Sequence, residues 1–278
     1  MIDMDKLLQE YQALWALSDP TLIAKTNTSH VYKVQHKSNV VVLKLYTQAG
    51  REDEARGPIF LDLCSGNSAA KVFKYDDNAC LLEFIDGDVL IELVNQGKDE
   101  EATAIIGDVL KKIHQTKISN DTGLIDLKTY MRYLFKYAKG DCPDIVKRAA
   151  QVAEQYLKKP APTCLLHGDM HHENVMHHPE RGWLALDPKG VIGNPAFDLA
   201  NTLHNPIPHK NLYHNEARLL KQVEILSQKT DIKSQDILES AYIHGALSSC
   251  WTKSDDGEHD EDRLKTSLIL EKHIGLRT

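Results

Sequence analysis

Two carboxylates and one carboxamide carry most of the chemistry in this 278-residue chain. They sit in His167-Gly168-Asp169-Met170-His171-His172-Glu173-Asn174 and in Asp187-Pro188-Lys189-Gly190, the second segment directly after the apolar run Trp183-Leu184-Ala185-Leu186. Asn174 lies five residues after Asp169, and Asp187 thirteen residues after Asn174. This pattern suits phosphoryl transfer, which asks a protein mainly to position the reactants and neutralise charge on oxygen. Asp169 is the candidate base for a substrate hydroxyl, and Asn174 and Asp187 are candidate oxygen ligands for a Mg2+ ion that bridges nucleotide phosphates. Singly they would read as a helix cap and a turn residue; both spacings together favour the site.

The remaining roles fall earlier in the chain. Lys44 ends Val41-Val42-Leu43-Lys44, a β-branched run closed by a lone cation, the pattern of a strand lysine that reaches the α- and β-phosphates of ATP. A solvated strand-end lysine is the plainer alternative. Its orienting carboxylate is expected from the next helix, with Glu54 preferred to Glu52. A glycine-rich phosphate loop is absent: Thr26-Asn27-Thr28-Ser29-His30-Val31 stands in its place. Ser29 and the backbone N–H groups there are either phosphate donors or part of an ordinary hairpin turn. Glu83 to Ile85, at the end of a strand, offer backbone groups to an adenine edge.

These residues need a scaffold. A helical start carrying Leu7, Leu8, Tyr11, Leu14 and Trp15 precedes three expected strands, 22–25, 29–36 and 39–46. A helix is expected from Arg51 to about Cys64, with Pro58 in its first turn, and then a strand pair, 70–75 and 79–85. Asp86-Gly87-Asp88 breaks the pattern and divides a nucleotide-binding lobe, 1–86, from a helical lobe, 87–278. The second lobe is expected to hold helices at 101–115, 128–139, 142–158, 198–203, 210–230, 234–250 and 261–274. Strands 163–167 and 183–187 flank the Asp169 loop, with Val175–Met176 a further strand piece. The fold class is therefore α+β, a β-rich lobe and a mostly helical lobe with a ligand cleft between them.

Composition narrows the class. Hydrophobic residues make up 42% and charged residues 26%, ordinary for a globular enzyme, and the formal net charge of −7 argues against a nucleic-acid partner. The five cysteines are scattered and odd in number, which suits reduced thiols in a cytoplasmic protein. No secretory start and no apolar run near the roughly 20 residues of a membrane span are visible. Fourteen histidines raise the alternative of a metallophosphoesterase, but an upstream Asp-x-His and a downstream Gly-Asn-His are missing.

Beyond this residue-level reading, His167-Gly168-Asp169 through Asn174, with Asp187, resembles the aminoglycoside phosphotransferase and choline kinase branch of the protein-kinase-like fold. Asp187-Pro188-Lys189-Gly190 through Asp198-Leu199-Ala200-Asn201, then Asn205-Pro206, is similar to the streptomycin 6-phosphotransferase type of the aminoglycoside/hydroxyurea resistance kinases. Leu247-Ser248-Ser249-Cys250-Trp251 with Asp256-Gly257 resembles that family's C-terminal helix motif. The resemblance implies a bilobal kinase-like fold, ATP and Mg2+ as cofactors, and a small-molecule hydroxyl as acceptor, in a monomer or homodimer with no membrane partner. It also implies that Asp198 braces the catalytic loop through backbone hydrogen bonds, with His167 as a second supporting residue; an N-cap role for Asp198 is the alternative. Met170, Glu173 and Asn194 depart from the usual pattern and leave the acceptor open.

The acceptor question turns on Ser254–Asp262, with six carboxylates in nine residues. A solvated acidic loop is the common meaning of such a run. The functional alternative is that Asp255, Asp256 and Glu258 face the cleft and draw in a cationic acceptor. Three rivals to an aminoglycoside-type kinase remain: a metabolite kinase of the same fold, a silent nucleotide-binding module and the metallophosphoesterase.

Overall fold

The computed structural model describes residues 2–119 and 122–275. Its first part is a five-stranded antiparallel sheet accompanied by three helices, the first packing on the face of Leu43 and Leu45. Helix α1 (Met4–Trp15) is capped by Asp3, whose carboxylate accepts from the N–H groups of Asp5 and Lys6 at 3.1 Å. Strands β1 (Leu17–Lys25), β2 (Ser29–His36) and β3 (Asn39–Tyr46) follow, then helices α2 (Gln48–Asp53) and α3 (Gly57–Cys64), then β4 (Val72–Tyr75) and β5 (Ala79–Glu83). The strand order is β1-β2-β3-β5-β4.

Alternation along β3 decides which way Lys44 points. Leu43 and Leu45 are fully buried and pack with Leu7, Tyr11 and Trp15 of α1. A strand sends successive side chains to opposite faces, so Val42 and Lys44 are delivered to the other face, toward the rest of the protein. Burying a leucine in that small core is worth about 1.5–3 kcal/mol, so a one-residue slip of β3 would forfeit two leucines and turn Lys44 away.

Four of the expected elements differ in extent here, two of them, the strands expected at 70–75 and 79–85, only by being shorter. Strand β1 begins at Leu17, because Ser18-Asp19-Pro20, which looks like a turn, is accommodated on the sheet edge with register shifts at 18/21 and 22/24. The single helix expected from Arg51 to Cys64 is two helices. Proline fits only in a first turn, and Pro58 starts α3 at Gly57; Glu54 therefore occupies the C-cap of α2 rather than a helix interior. Asp76 closes the β4–β5 turn by accepting from the N–H groups of Asn78 and Ala79.

After β5 the chain passes Asp86-Gly87-Asp88 and runs beside a hairpin before entering the helical part. That part contains α4 (Ile91–Asn95), α5 (Asp99–His114), a short strand β6 (Ile125–Asp126), α6 (Leu127–Tyr130), α7 (Arg132–Tyr137) and α8 (Asp144–Tyr156). Next come β7 (Cys164–Leu166), the hairpin β8 (Val175–His178) and β9 (Gly182–Ala185), and β10 (Val191–Gly193). Helices α9 (Ala200–Leu203), α10 (Lys210–Tyr213), α11 (Glu216–Thr230), α12 (Ser234–Asp256) and α13 (Glu261–Glu271) complete the chain. The small sheet β6-β10-β7 and the hairpin hold the loops 167–174 and 186–190 between them. The hairpin is stitched to the preceding chain on both sides: Ala185 bridges Ala69, just before β4, and Met176 bridges Val89, just before α4. Helix α12 runs six residues past its expected end at Cys250, since nothing breaks it before Gly257, whose φ of 87° suits a left-handed C-cap.

Candidate active site

The loop after β7 is pinned before it is polar. Asp198 accepts hydrogen bonds from the backbone N–H of His167 and of Gly168, both at 2.8 Å, and its Oδ2 lies 3.1 Å from His114 Nε2. It sits inside the 3-10 turn Pro195–Leu199, and the N-cap of that turn is Asn194, whose Oδ1 accepts from Ala196 N–H at 3.0 Å. Of the two readings of Asp198, the loop brace is the one the geometry provides. His167 is fully buried, edge-on to Phe60, and its Nε2 lies 2.7 Å from the Leu186 carbonyl. Nε2 therefore carries the proton, and Nδ1 is left to accept from Asp169 N–H at 3.2 Å. Burial lowers the His167 pKa and keeps the ring neutral. Gly168 turns the chain at φ 82°, with its carbonyl accepting from the Tyr130 hydroxyl at 2.6 Å.

Asp169 is thereby presented at a fixed point. Its Oδ1 accepts from Asn201 Nδ2 at 2.8 Å, and Asn205 Nδ2 in turn donates to Asn201 Oδ1 at 2.9 Å. Five residues on, Asn174 donates its Nδ2 to the Asp169 carbonyl at 2.9 Å, which directs the carboxamide nitrogen inward and leaves Oδ1 as its remaining polar atom. The backbone carbonyl of Asn174 accepts from Leu186 N–H at 2.8 Å, so the hairpin register carries Asn174 next to the segment that holds Asp187.

On the sheet side, one carboxylate holds two lysines. Lys44 Nζ lies 2.7 Å from Glu54 Oε2 and pairs with Asp187 Oδ1, while Lys189 Nζ lies 3.3 Å from Glu54 Oε1. Lys44 and Glu54 are almost wholly buried, yet the Asp187 side chain remains 45% exposed. Burial works against the charge on each of them, and the pairing outweighs it. The Lys44 pKa is raised, that of Glu54 is lowered by Lys44 and Lys189, and that of Asp187 falls to about 2 under the same two cations. Lys189 is likewise held above its usual value by Asp169, Glu54 and Asp187 against its own burial. Asp187 adopts φ 54°, a left-handed conformation that costs a non-glycine residue about 1–3 kcal/mol. It is held there by Leu186 N–H on Asn174 and by Lys189 N–H on the His167 carbonyl, each at 2.8 Å.

Two cavities meet at this cluster. One, of about 280 Å3, has apolar walls from Val31, Val42, Leu82, Met176 and Leu186 and a charged end formed by Lys44, Glu54 and Asp187. Glu83, Phe84 and Ile85 edge it, with the Glu83 side chain turned aside to Arg181 and to the Lys71 N–H. Ser29 does not line it: it is buried, with its hydroxyl 3.3 Å from Thr26 Oγ1, and the expected phosphate contact is not assembled. The other cavity, of about 360 Å3, contains Asp169 and Lys189 with Tyr130, Tyr133 and Trp251.

The acidic run is split by its helix. Asp255 reaches the second cavity, while Asp256 does not; consecutive helical residues point about 100° apart. Glu258 lies beyond the helix with its side chain 92% exposed, 3.9 Å from Lys253. The expected acidic wall of Asp255, Asp256 and Glu258 is thus reduced to Asp255, whose pKa is raised by burial and by the charges of Asp53 and Asp256. Asp53, Asp169 and Asp255 face Arg56, Arg132, Lys189 and Arg263 around that cavity, so its lining is mixed in sign rather than acidic.

The oxygen set suits Mg2+. Asp187 stays ionised, Asn174 retains a carboxamide oxygen, and such an ion usually takes one or two protein oxygens plus phosphate and water. Among the described residues no group of three or more His, Cys, Asp or Glu side chains could hold a metal, and His172, His204 and His244 are buried within the helical part. The dinuclear hydrolase alternative has no site there. Asn201, Tyr130 and Lys189 were not singled out by the sequence. Asn201, three residues after Asp198 on the same turn, carried the one available signal.

Known proteins resemble this chain in sequence and in fold. The family model for aminoglycoside/hydroxyurea antibiotic resistance kinases matches residues 14–257. A streptomycin 3''-kinase of Klebsiella pneumoniae is 32% identical over 241 residues, 85% of this chain and 89% of that protein. A streptomycin 6-kinase of Streptomyces griseus is 27% identical over 163 residues, 56% of this chain and 52% of the relative. Among solved structures, an amicoumacin kinase in complex with AMP-PNP superposes with a TM-score of 0.70 at 14% identity, covering 98% of this chain and 94% of its own. At that identity the likeness concerns the fold, a protein-kinase-like one.

Proposed function

Since the chain belongs to the aminoglycoside/hydroxyurea antibiotic resistance kinase family, we propose that it transfers the γ-phosphoryl group of ATP to a hydroxyl of a streptomycin-type aminoglycoside. The observation that carries this reading is the meeting of two cavities at one charged cluster. Lys44, Glu54 and Asp187 end the apolar slot, while Asp169 opens on the cavity beside it.

In this reading adenine lies between Val31, Val42, Leu82 and Met176, beside the 83–85 backbone, and Lys44 meets the α- and β-phosphates. Glu54 keeps Lys44 extended. Asn174 and Asp187 are the residues that would hold Mg2+, which when bound neutralises phosphate charge. Asp169 has Oδ1 occupied by Asn201, so Oδ2 takes the proton of the acceptor hydroxyl. A fixed carboxylate does this without reorganisation, and general-base help of this kind is worth about 10²–10⁴ in rate. Tyr133 and Trp251 present flat faces to the amino sugar, and Asp255 pairs with one of its cationic groups.

The deciding experiment is ADP release from the purified chain with Mg2+ and ATP, compared across streptomycin, other aminoglycosides, neutral sugars and amino alcohols. Acceptor-dependent release with streptomycin-type compounds is expected. Release with sugars or amino alcohols alone would replace this reading with that of a metabolite kinase, and no release with any acceptor would remove the kinase reading itself.

A further inference from the structure

Glu54 holds its two lysines unequally. Lys44 sits at 2.7 Å, within the usual range for a charge-assisted bond, and Lys189 at 3.3 Å, outside it. Lys44 belongs to the apolar slot, whereas Lys189 lines the cavity of Asp169. Its backbone is fixed by the bond to the His167 carbonyl and by Gly190, where a Cβ would lie 2.7 Å from the Arg56 carbonyl oxygen. The side chain is less constrained, 23% exposed and ending in a compact charge on a flexible stem. A cation with a long ion pair to Glu54 thus lies between the residues assigned to the two reactants.

We propose that Lys189 is a catalytic cation, leaving Glu54 to contact the equatorial oxygens of the phosphoryl group in flight. The proposal rests on the kinase reading above. In the transfer, a bond forms between the acceptor oxygen and Pγ while the bond from Pγ to the bridging oxygen breaks. Its electron pair leaves on ADP, the hydroxyl proton passes to Asp169, and Lys189 keeps its protons throughout. In the loose transition state charge is spread over the three equatorial oxygens of the transferred group and builds on the bridging oxygen, so a cation that reaches these atoms only then lowers the barrier more than it tightens binding.

Lys189→Met and Lys189→Gln in the full chain test this with streptomycin, ATP and Mg2+. Loss of one charge-stabilising cation predicts kcat down about 10²-fold, with KM for each substrate changed by less than about 3-fold. The second readout is thermal. AMP-PNP with Mg2+ should raise Tm equally in wild type and variants, whereas the extra rise from ADP, Mg2+ and aluminium fluoride, a mimic of the transferred group, should be lost in both variants. Retention of that extra rise, or a loss confined to KM, overturns the proposal. If Lys189→Met folds poorly, Lys189→Gln decides, since it keeps a hydrogen-bond donor on a side chain only one atom shorter. A wild-type enzyme inactive with every acceptor refutes the parent reading; an active one with undiminished variants refutes the role of Lys189 alone.

Discussion

Asp169 is held through its carboxylate by Asn201 and through its backbone by His167 and Asn174, so its replacement by Asn changes the proton inventory more than the shape. We expect Asp169→Asn to lower kcat by about 10²-fold or more with nucleotide affinity nearly unchanged, read by steady-state kinetics beside nucleotide titration. Asp187→Ala should act on the other substrate, abolishing the Mg2+-dependent Tm rise given by ATP; survival of that rise would take Asp187 out of the metal role. Acid should expose the same cluster. The pKa values of Glu54 and Asp187 are lower folded than unfolded. Their stabilisation is therefore complete above the unfolded values, near 4, and is lost as pH falls toward about 2. Melting between pH 6 and pH 2 should show this loss, and Glu54→Gln should show a shallower one. Lys44, Asp169 and Asp187 were legible in sequence because local pattern names them. Asn201 and Lys189 were not, since their partners lie 32 and 135 residues away and only the fold brings them near.

At the scale of elements, periodicity located the longer helices and strands, and β2 and β3 have the bounds expected of them, but it missed α4, β6 and β10 and ran α6 with α7, and α10 with α11, into single helices. It failed where a single residue type overrules a pattern. Pro58 cuts one expected helix in two, Ser18-Asp19-Pro20 conceals the start of an edge strand, and α12 continues until a glycine stops it. The first failure matters for the site, because the break frees Glu54 to turn inward and seats Gly57 against the Asp187 segment. A Cβ at Gly57 would lie 2.5 Å from the Pro188 carbonyl oxygen. Gly57→Ala should therefore displace Asp187 and Lys189 together, at an overpacking cost of about 1–3 kcal/mol. Turnover should drop further than the Tm change alone would suggest, and an enzyme with normal kcat would show that α3 does not set the position of that loop.

For the molecule as a whole, what composition suggested about the acceptor was coarser than the geometry. An acidic run and a net charge of −7 point to cations in general, but the cavity beside Asp169 has arginines as well as carboxylates, with Asp255 the member of the run that reaches it. Asp255→Asn should raise KM for a cationic aminoglycoside about 5-fold with little change in kcat, and Glu258→Gln should do nothing; equal effects would restore a diffuse attraction that salt weakens. The shared grip of Glu54 on Lys44 and Lys189 has a thermodynamic corollary. Any share of the transition-state pull on Lys189 already exerted by bound substrate leaves Glu54 with a single cation and tightens its hold on Lys44, so, within the less than about 3-fold effect on KM expected above, occupancy of one cavity alters affinity in the other. Such linkage is reciprocal: if aminoglycoside sharpens nucleotide binding by some factor, nucleotide must sharpen aminoglycoside binding by the same factor. The two substrates would then enter this enzyme not as independent visitors but as partners in a single cooperative assembly, and Glu54→Gln would divorce them.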